Sequence, residues 1–247
     1  MKARHYYYFG HDLQSRMQSK CLDSTNWDMV RTTEQYSPFS FEKTIDEYDQ
    51  NCLRSIHYKK VAMLICGLLS EIHCKKVVSM GIGKGILEWH IKKLHPDICV
   101  ECTDYTPESI SLLSKLFVNA DNIFIFDMLN DDYSSIEKNS CLILYRVSTE
   151  FSYNQWCAIF NKIYSGHIKY VIFTPSELLR WRSFLGEKYL HIKHLLLYGS
   201  DVFCGWMYSE IEFLKIFKGN DRQKKQYFVL KKVNYGDTAI YLLERCE

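Results

Sequence analysis

The chain has no excess of either charge. Its 31 Lys and Arg face 29 Asp and Glu, a net charge of +2 over 247 residues. So even a balance excludes an overall field that would draw the molecule to nucleic acid or to an anionic membrane, and leaves open only a local basic patch. Long apolar runs are missing as well. The longest, Val61 to Leu69, is about half of what a bilayer span needs, and the N-terminus has no apolar signal segment. A cytoplasmic protein with no membrane partner is expected, and nucleic acid is not its expected ligand. No internal repeat and no low-complexity tract occurs, which removes repeat architectures.

The ten cysteines lack the setting of a disulfide framework. They are scattered through a chain of ordinary size, mostly inside apolar runs, as at Cys66, Cys141 and Cys157, and read as reduced core residues. Cys99 and Cys102 form a C-x-x-C but sit in a strand candidate with no second pair at zinc-finger spacing. His191-x-x-His194 has no Glu at metalloprotease spacing. No metal is expected.

What the chain does have is 47% apolar composition and 15% aromatics, ample for one globular unit with an appendage. From about residue 75 onward, apolar strand-like runs alternate with amphipathic helical ones, the pattern of a mostly parallel sheet covered by helices on both faces. Strands are expected at Lys76–Met80, Ile98–Thr103, Asn122–Phe126, Cys141–Tyr145 and Ile168–Phe173, with helices at Gly85–Leu94, Pro107–Val118, Tyr153–Tyr164 and Pro175–Tyr189. Gln226–Val233 and Ala239–Glu244 flank Asn234-Tyr235-Gly236-Asp237, a hairpin signal. The first 50 or so residues differ in texture, and residues 1–70 are set apart as an N-terminal cap with its lead-in helix. Tyr6-Tyr7-Tyr8-Phe9-Gly10 and the Ser37-Pro38 break mark a cap with one or two helices, and Asp46–Glu71 reads as one long helix leading into the first strand.

The first strand runs into Gly81-Ile82-Gly83-Lys84-Gly85. Glycines at alternate positions let the backbone turn sharply and approach a ligand that a Cβ would hold away. A dinucleotide fingerprint wants G-x-G-x-x-G, but the sixth position here is Ile86, so the spacing disfavours a nicotinamide cofactor. The second strand ends at Asp104, where a carboxylate can accept from ribose hydroxyls, and the third ends at Asp127-Met128, an acid for an adenine edge beside an apolar side chain for its face. Each also has a plainer reading. Asp104 can serve the helix that starts near Pro107, although Thr106 is the better placed cap, and Asp127 can belong to a solvated turn with Asn130-Asp131-Asp132.

These residues resemble the class I S-adenosylmethionine-dependent methyltransferases, in which a Gly-x-Gly-x-Gly loop follows the first strand and acids end the second and third. Asp104-Tyr105-Thr106-Pro107-Glu108 is similar to that family's Asp-x-Ser-Pro-Glu form, and the resemblance runs from Val77 to Pro175. It implies a Rossmann-like, mostly parallel seven-stranded sheet with helices on both faces and an antiparallel C-terminal hairpin, forming a methyltransferase domain over residues 71–247. The cofactor implied is S-adenosyl-L-methionine, lying across the C-terminal strand edges. Gly81, Gly83 and Gly85 would contact its amino acid part, Asp104 its ribose, Asp127 and Met128 its adenine. Tyr145 and Arg146 would border the methyl donor, and Ser79, Ile82 and Tyr105 complete the cofactor-contacting set. Two departures stand out: Ser79 replaces an acid often found two residues before the first glycine, and the run after the fourth strand is Tyr145-Arg146-Val147-Ser148-Thr149-Glu150.

Methyl transfer from a sulfonium is an in-line displacement, so the protein must align the nucleophile and exclude water, and it needs a base only where the acceptor loses a proton. Glu150 and His57 are the candidate bases. Their plainer readings are a charge at a helix N-terminus and a half-buried surface pair with Tyr58. Acceptor contacts are expected from outside the shared core, at Tyr58 and in the aromatic segment Tyr198–Tyr208, with Trp206 and Tyr208 as stacking groups; a packed loop is the equal alternative. Arg222-Gln223-Lys224-Lys225 is read as a solvated loop. The expectation is a methyltransferase for a small-molecule or glycan acceptor, at oxygen or nitrogen. An RNA or protein methyltransferase, or a non-catalytic methyltransferase-like partner subunit, is the alternative.

Overall fold

The structure is a computed structural model that describes residues 2–8, 11–17, 19–21, 24–32, 40–219 and 226–247. The Ser37-Pro38 break, Phe9-Gly10 and the basic run Arg222–Lys225 lie outside the described residues. Elements follow in the order β1 (Lys2–Tyr7), α1 (His11–Gln14), α2 (Ser24–Thr32), α3 (Ile45–Arg54), α4 (Ile56–Glu71), β2 (Lys76–Met80), α5 (Ile86–Leu94), β3 (Cys99–Asp104), α6 (Pro107–Leu116), β4 (Asn122–Ile125), β5 (Cys141–Tyr145), α7 (Tyr153–Ser165), β6 (Tyr170–Thr174), α8 (Trp181–Tyr198), β7 (Val202–Tyr208), α9 (Glu210–Lys218), β8 (Tyr227–Tyr235) and β9 (Thr238–Arg245).

Seven strands form the main sheet in the order β4-β3-β2-β5-β6-β9-β8. β4, β3, β2, β5 and β6 are parallel, and β9 runs antiparallel to both β6 and β8. The central strands are buried on both faces, which is why they read as continuous apolar runs such as Cys141-Leu142-Ile143-Leu144. Two apolar clusters cover the sheet. One gathers Tyr48, Ile65, Leu69, Leu87, Ile91 and Leu113 from α3 to α6; the other gathers Trp156, Phe160, Phe173, Phe213 and Phe217 around α7 and α9.

Three expectations are corrected. The long helix over Asp46–Glu71 is two helices, broken at Ser55, whose hydroxyl donates to Asn51 O at 2.8 Å while its N–H donates to Cys52 O at 3.1 Å. A serine bonding back to the preceding turn competes with helix continuation. The helix expected from Pro175 begins only at Trp181, because the connection is held at the sheet edge: Ser176 N–H donates to Ser148 Oγ, Ser176 Oγ to Arg146 O, and Leu179 N–H to Tyr208 O. The aromatic stretch after Tyr198 is largely strand β7, paired antiparallel with β1. The N-terminal segment is therefore a strand as well as helices, and it joins the insertion after β6 in a second, two-stranded sheet. Among the described residues no helix is long and apolar enough to cross a membrane.

Candidate functional site

The loop after β2 is built as glycines require. Gly81, Gly83 and Gly85 have φ of +65°, +57° and +67°, a region costly to residues with a Cβ. Gly81 N–H and Ile82 N–H both donate to Thr103 O, at 2.9 and 3.2 Å, binding the loop to the end of β3. A Cβ on Gly81 would lie 2.6 Å from Val147 Cγ1, whereas one on Gly83 would meet only Arg31 Nη2 at 3.9 Å. The loop is tight toward the core, and at Gly83 it faces the Arg31 side chain alone.

Asp104, at the end of β3, is 1% exposed. Its carboxylate accepts from Gly83 N–H at 3.2 Å, from Thr106 N–H at 3.1 Å and Thr106 Oγ1 at 2.8 Å, and from Arg31 Nη1 at 3.2 Å. Thr106 is the N-cap of α6 by position, yet it makes no side-chain cap bond. Arg31, in the last turn of α2, also donates to Thr106 Oγ1 at 2.7 Å and Ser109 Oγ at 2.5 Å. Its guanidinium lies 5.1 Å from the ring of Trp27, and Trp27 Nε1 donates to Glu150 Oε2 at 3.3 Å. Helix α2 thus closes over the glycine loop. Burial raises the Glu150 carboxyl to about 7, against the opposing pull of Trp27 and Arg31.

Ser79 occupies the position where the resemblance leads one to look for an acid, and an acid is there by another route. Ser79 Oγ donates to Glu88 Oε1 at 2.5 Å. Glu88 is 2% exposed, and burial raises its carboxyl to about 7, the serine hydroxyl partly offsetting this. It enters from the first turn of α5, where a carboxylate suits the helix dipole.

Asp127 is engaged in its own turn. Oδ1 accepts from Leu129 N–H at 2.8 Å and Asn130 N–H at 3.2 Å, and Oδ2 from Asn130 Nδ2 at 2.8 Å. The turn reading describes it as it stands. Met128 is buried, with its methyl 3.6 Å from where a Gly81 Cβ would be, so it borders the glycine loop. Tyr105 is half-buried beside Asp104.

Further along the same strand edge, beyond β5 and β6, lies a cavity of about 460 Å³ lined by His57, Lys60, Tyr145, Arg146, Tyr235 and Asp237 among others. His57, at the start of α4, is within 3.0 Å of Tyr145 Oη through Nε2 and 3.2 Å of Tyr235 Oη through Nδ1. Partial burial and then the nearby Arg146 charge lower its pKa, keeping the ring neutral, so one nitrogen donates and the other accepts. Burial raises the Tyr145 phenol. Arg146 has φ +59°, a strained conformation for a residue with a side chain. Tyr58 packs edge-on to Tyr145 at 5.9 Å.

The remaining candidates are dispersed. Trp206 lies in β7, its N–H donating to Thr149 O at 2.9 Å and its ring under the Arg4 guanidinium at 5.4 Å. Tyr208 is 1% exposed, in the core, with its hydroxyl on Phe151 O at 2.8 Å, so its ring offers an acceptor no surface to stack on. His191 turns its Nδ1 to Asp201 at 2.7 Å. Arg31, Trp27 and Glu88 were not among the sequence candidates. Nothing local in the cap marks Arg31, whereas Glu88, an acid inside the apolar face of an amphipathic helix, carries a readable signal.

The strand order, with its antiparallel strand inserted between β6 and β8, and the glycine loop on the first parallel strand define the class I methyltransferase fold. Magnesium protoporphyrin IX methyltransferase ChlM from Synechocystis PCC 6803, solved with bound SAH, superposes with a TM-score of 0.58 at 14% identity, over 91% of this chain and 96% of that one. Mitomycin 7-O-methyltransferase MmcR gives 0.51 at 16%, over 70% of this chain and 50% of that one. An O-methyltransferase family 2 protein from Planctomyces limnophilus DSM 3776, in complex with apigenin, gives 0.52 at 16%, over 69% and 51%. The chain spans about half the length of the last two. At these identities the likeness is one of fold. No family model and no curated protein matches the sequence.

Proposed function

We propose that the chain is an S-adenosylmethionine-dependent methyltransferase for a small-molecule acceptor. The observation that carries this is the joining of Gly83 to Asp104: a left-handed glycine, faced on its side-chain side only by the Arg31 guanidinium, donates its N–H to a buried acid at the next strand end. The residues fit the cofactor. Gly81, Ile82, Gly83 and Gly85 would hold its amino acid part, with Glu88 behind Ser79 supplying the negative charge for its ammonium, Asp104 and Tyr105 its ribose, and Met128 and the Asp127 turn its adenine. When bound, S-adenosylmethionine supplies a methyl group on a sulfonium, ready for in-line displacement.

The His57 cavity is the acceptor side of this reading. His57 can take the proton of an acceptor hydroxyl that replaces the tyrosine hydroxyl on its unprotonated nitrogen, the other nitrogen staying held by the second tyrosine, while Lys60 and Arg146 favour an acceptor that carries or develops negative charge. Oxygen methylation of a phenol-sized molecule suits this cavity; a glycan has less support, since the aromatic Tyr208 is buried. Glu150, held by Trp27 under α2, belongs to the cofactor side and is not the favoured base. The names of the neighbours, O-methyltransferases for mitomycin or solved with apigenin, support the same class of acceptor.

Arg31 favours a second reading. A cation fixed on Asp104 stands where ribose hydroxyls would bind, as in a non-catalytic relative whose site is filled by its own chain. Isothermal calorimetry with S-adenosylmethionine separates the two. Binding that Asp104→Ala weakens by roughly 1–3 kcal/mol supports the enzyme; no heat at millimolar cofactor supports the filled site.

A further inference from the structure

Helix α8 is built inside out. None of its residues is buried, and the face it turns to the β1–β7 ribbon mixes polar groups with two rings, Phe184 on Ala3 and Met207 and Tyr198 on Tyr8. Glu187 Oε2 lies 3.0 Å from His5 Nδ1, His191 Nδ1 2.7 Å from Asp201 Oδ2, and the His191 ring stacks on Tyr6 at 4.2 Å. The opposite face is apolar. Trp181, Leu185, Tyr189, Ile192 and Leu196 recur at i, i+4, i+8, i+11 and i+15, within about 80° of arc at 3.6 residues per turn, and are 54% to 80% exposed. A helix folded only for its own chain would reverse these faces.

The charges beside the stripe decide what covers it. Arg182, Lys188 and Lys193 are exposed around it, and the helix's single acid, Glu187, is turned inward to His5. The outward surface therefore offers cations and no carboxylate. A second copy paired about a two-fold at the stripe's midpoint would set Lys188 against its own copy, with nothing on the exposed arc to answer it. An anionic bilayer surface suits the stripe and its cations: the stripe enters the headgroup boundary with Leu195 and Leu197 exposed beside it, Trp181 and Tyr189 suit the interface, and the lysine and arginine heads reach lipid phosphates. The sequence excludes a span; a helix of about 27 Å lying flat is a different object.

We infer that α8 is a peripheral membrane-docking helix that seats this protein on anionic lipid, by the face opposite the β1–β7 ribbon. The test is co-sedimentation of the full chain with phosphatidylcholine vesicles, with and without one third phosphatidylglycerol, alongside light scattering of the protein alone. The expected result is binding to the anionic vesicles only, weakened at least about tenfold by Lys188→Glu/Lys193→Glu and lost in Leu185→Ser/Leu196→Ser. All four positions are exposed, and both variants should melt with the wild type. Absence of binding to anionic vesicles overturns the proposal, as does binding that neither variant changes. So does a dimer that Leu185→Ser/Leu196→Ser dissolves in a chain that ignores vesicles, which would assign the stripe to a second copy.

Discussion

Over β2 and β3 the chain closes its own polar groups under α2, while over β5, β6 and the β8–β9 turn it pairs them with one another around an open cavity. Asp104 accepts from Gly83, Thr106 and Arg31, and the same α2 carries Trp27 across to Glu150, just past β5. By contrast His57, Lys60, Tyr145 and Arg146 line a cavity of about 460 Å³. The difference teaches that the two halves of one strand edge stand at different stages of readiness. The glycine-loop half is preformed but covered by α2, so a ligand there must first displace Arg31. The His57 half is open. A buried charge that loses its partner is costly, so on the proposed reading Arg31 would leave only for a ligand that gives Asp104 new donors, as ribose hydroxyls would.

The largest effect is expected from Gly81→Val, which destroys the glycine half and spares the other. The left-handed backbone costs about 1–2 kcal/mol and the contact with Val147 Cγ1 about 1–3 kcal/mol more, a loss that urea unfolding would register. Unchanged stability would mean the loop is not held as described. Next is pH. Unfolded, Glu88 titrates near 4.5, and folded near 7. Between those values the native state holds a proton that the unfolded state has lost, so stability falls as pH rises through the window, by up to about 3 kcal/mol. Thermal melts at pH 5 and pH 8 should differ less in Glu88→Gln than in the wild type; equal slopes would place the carboxylate in water.

On the open half, His57→Phe should lower methylation of whichever phenol a panel identifies by about 100-fold, with cofactor affinity unmoved. A matching loss of cofactor affinity would merge the two halves into one site. The smallest effect sharpens the contrast most. Arg31→Ala should tighten S-adenosylmethionine binding by about tenfold in calorimetry, because the competitor for Asp104 is gone. Weaker binding would make Arg31 a cofactor ligand instead of a latch.

The parallel core was legible because its central strands, β2, β5 and β6, are buried on both faces and read as continuous apolar runs, and the glycine loop because positive φ at alternate positions leaves few other residues. Asp104 was legible from its place at a strand end. What surrounds it was not: Arg31 lies 73 positions away in sequence from its partner, in a cap without periodicity. The β1–β7 ribbon escaped for the same reason, since β7 contains Gly205 at φ +126° and finds its partner at the other end of the chain. Ser79 read as a departure from the expected acid; only packing shows that Glu88 stands beside it.

The most direct measurement is a crystal structure with S-adenosylhomocysteine. The account predicts ribose hydroxyls on the Asp104 carboxylate, the amino acid part over Gly83, and the Arg31 guanidinium withdrawn from Asp104. An intact Arg31–Asp104 pair, with the ligand elsewhere or absent at millimolar concentration, would contradict it.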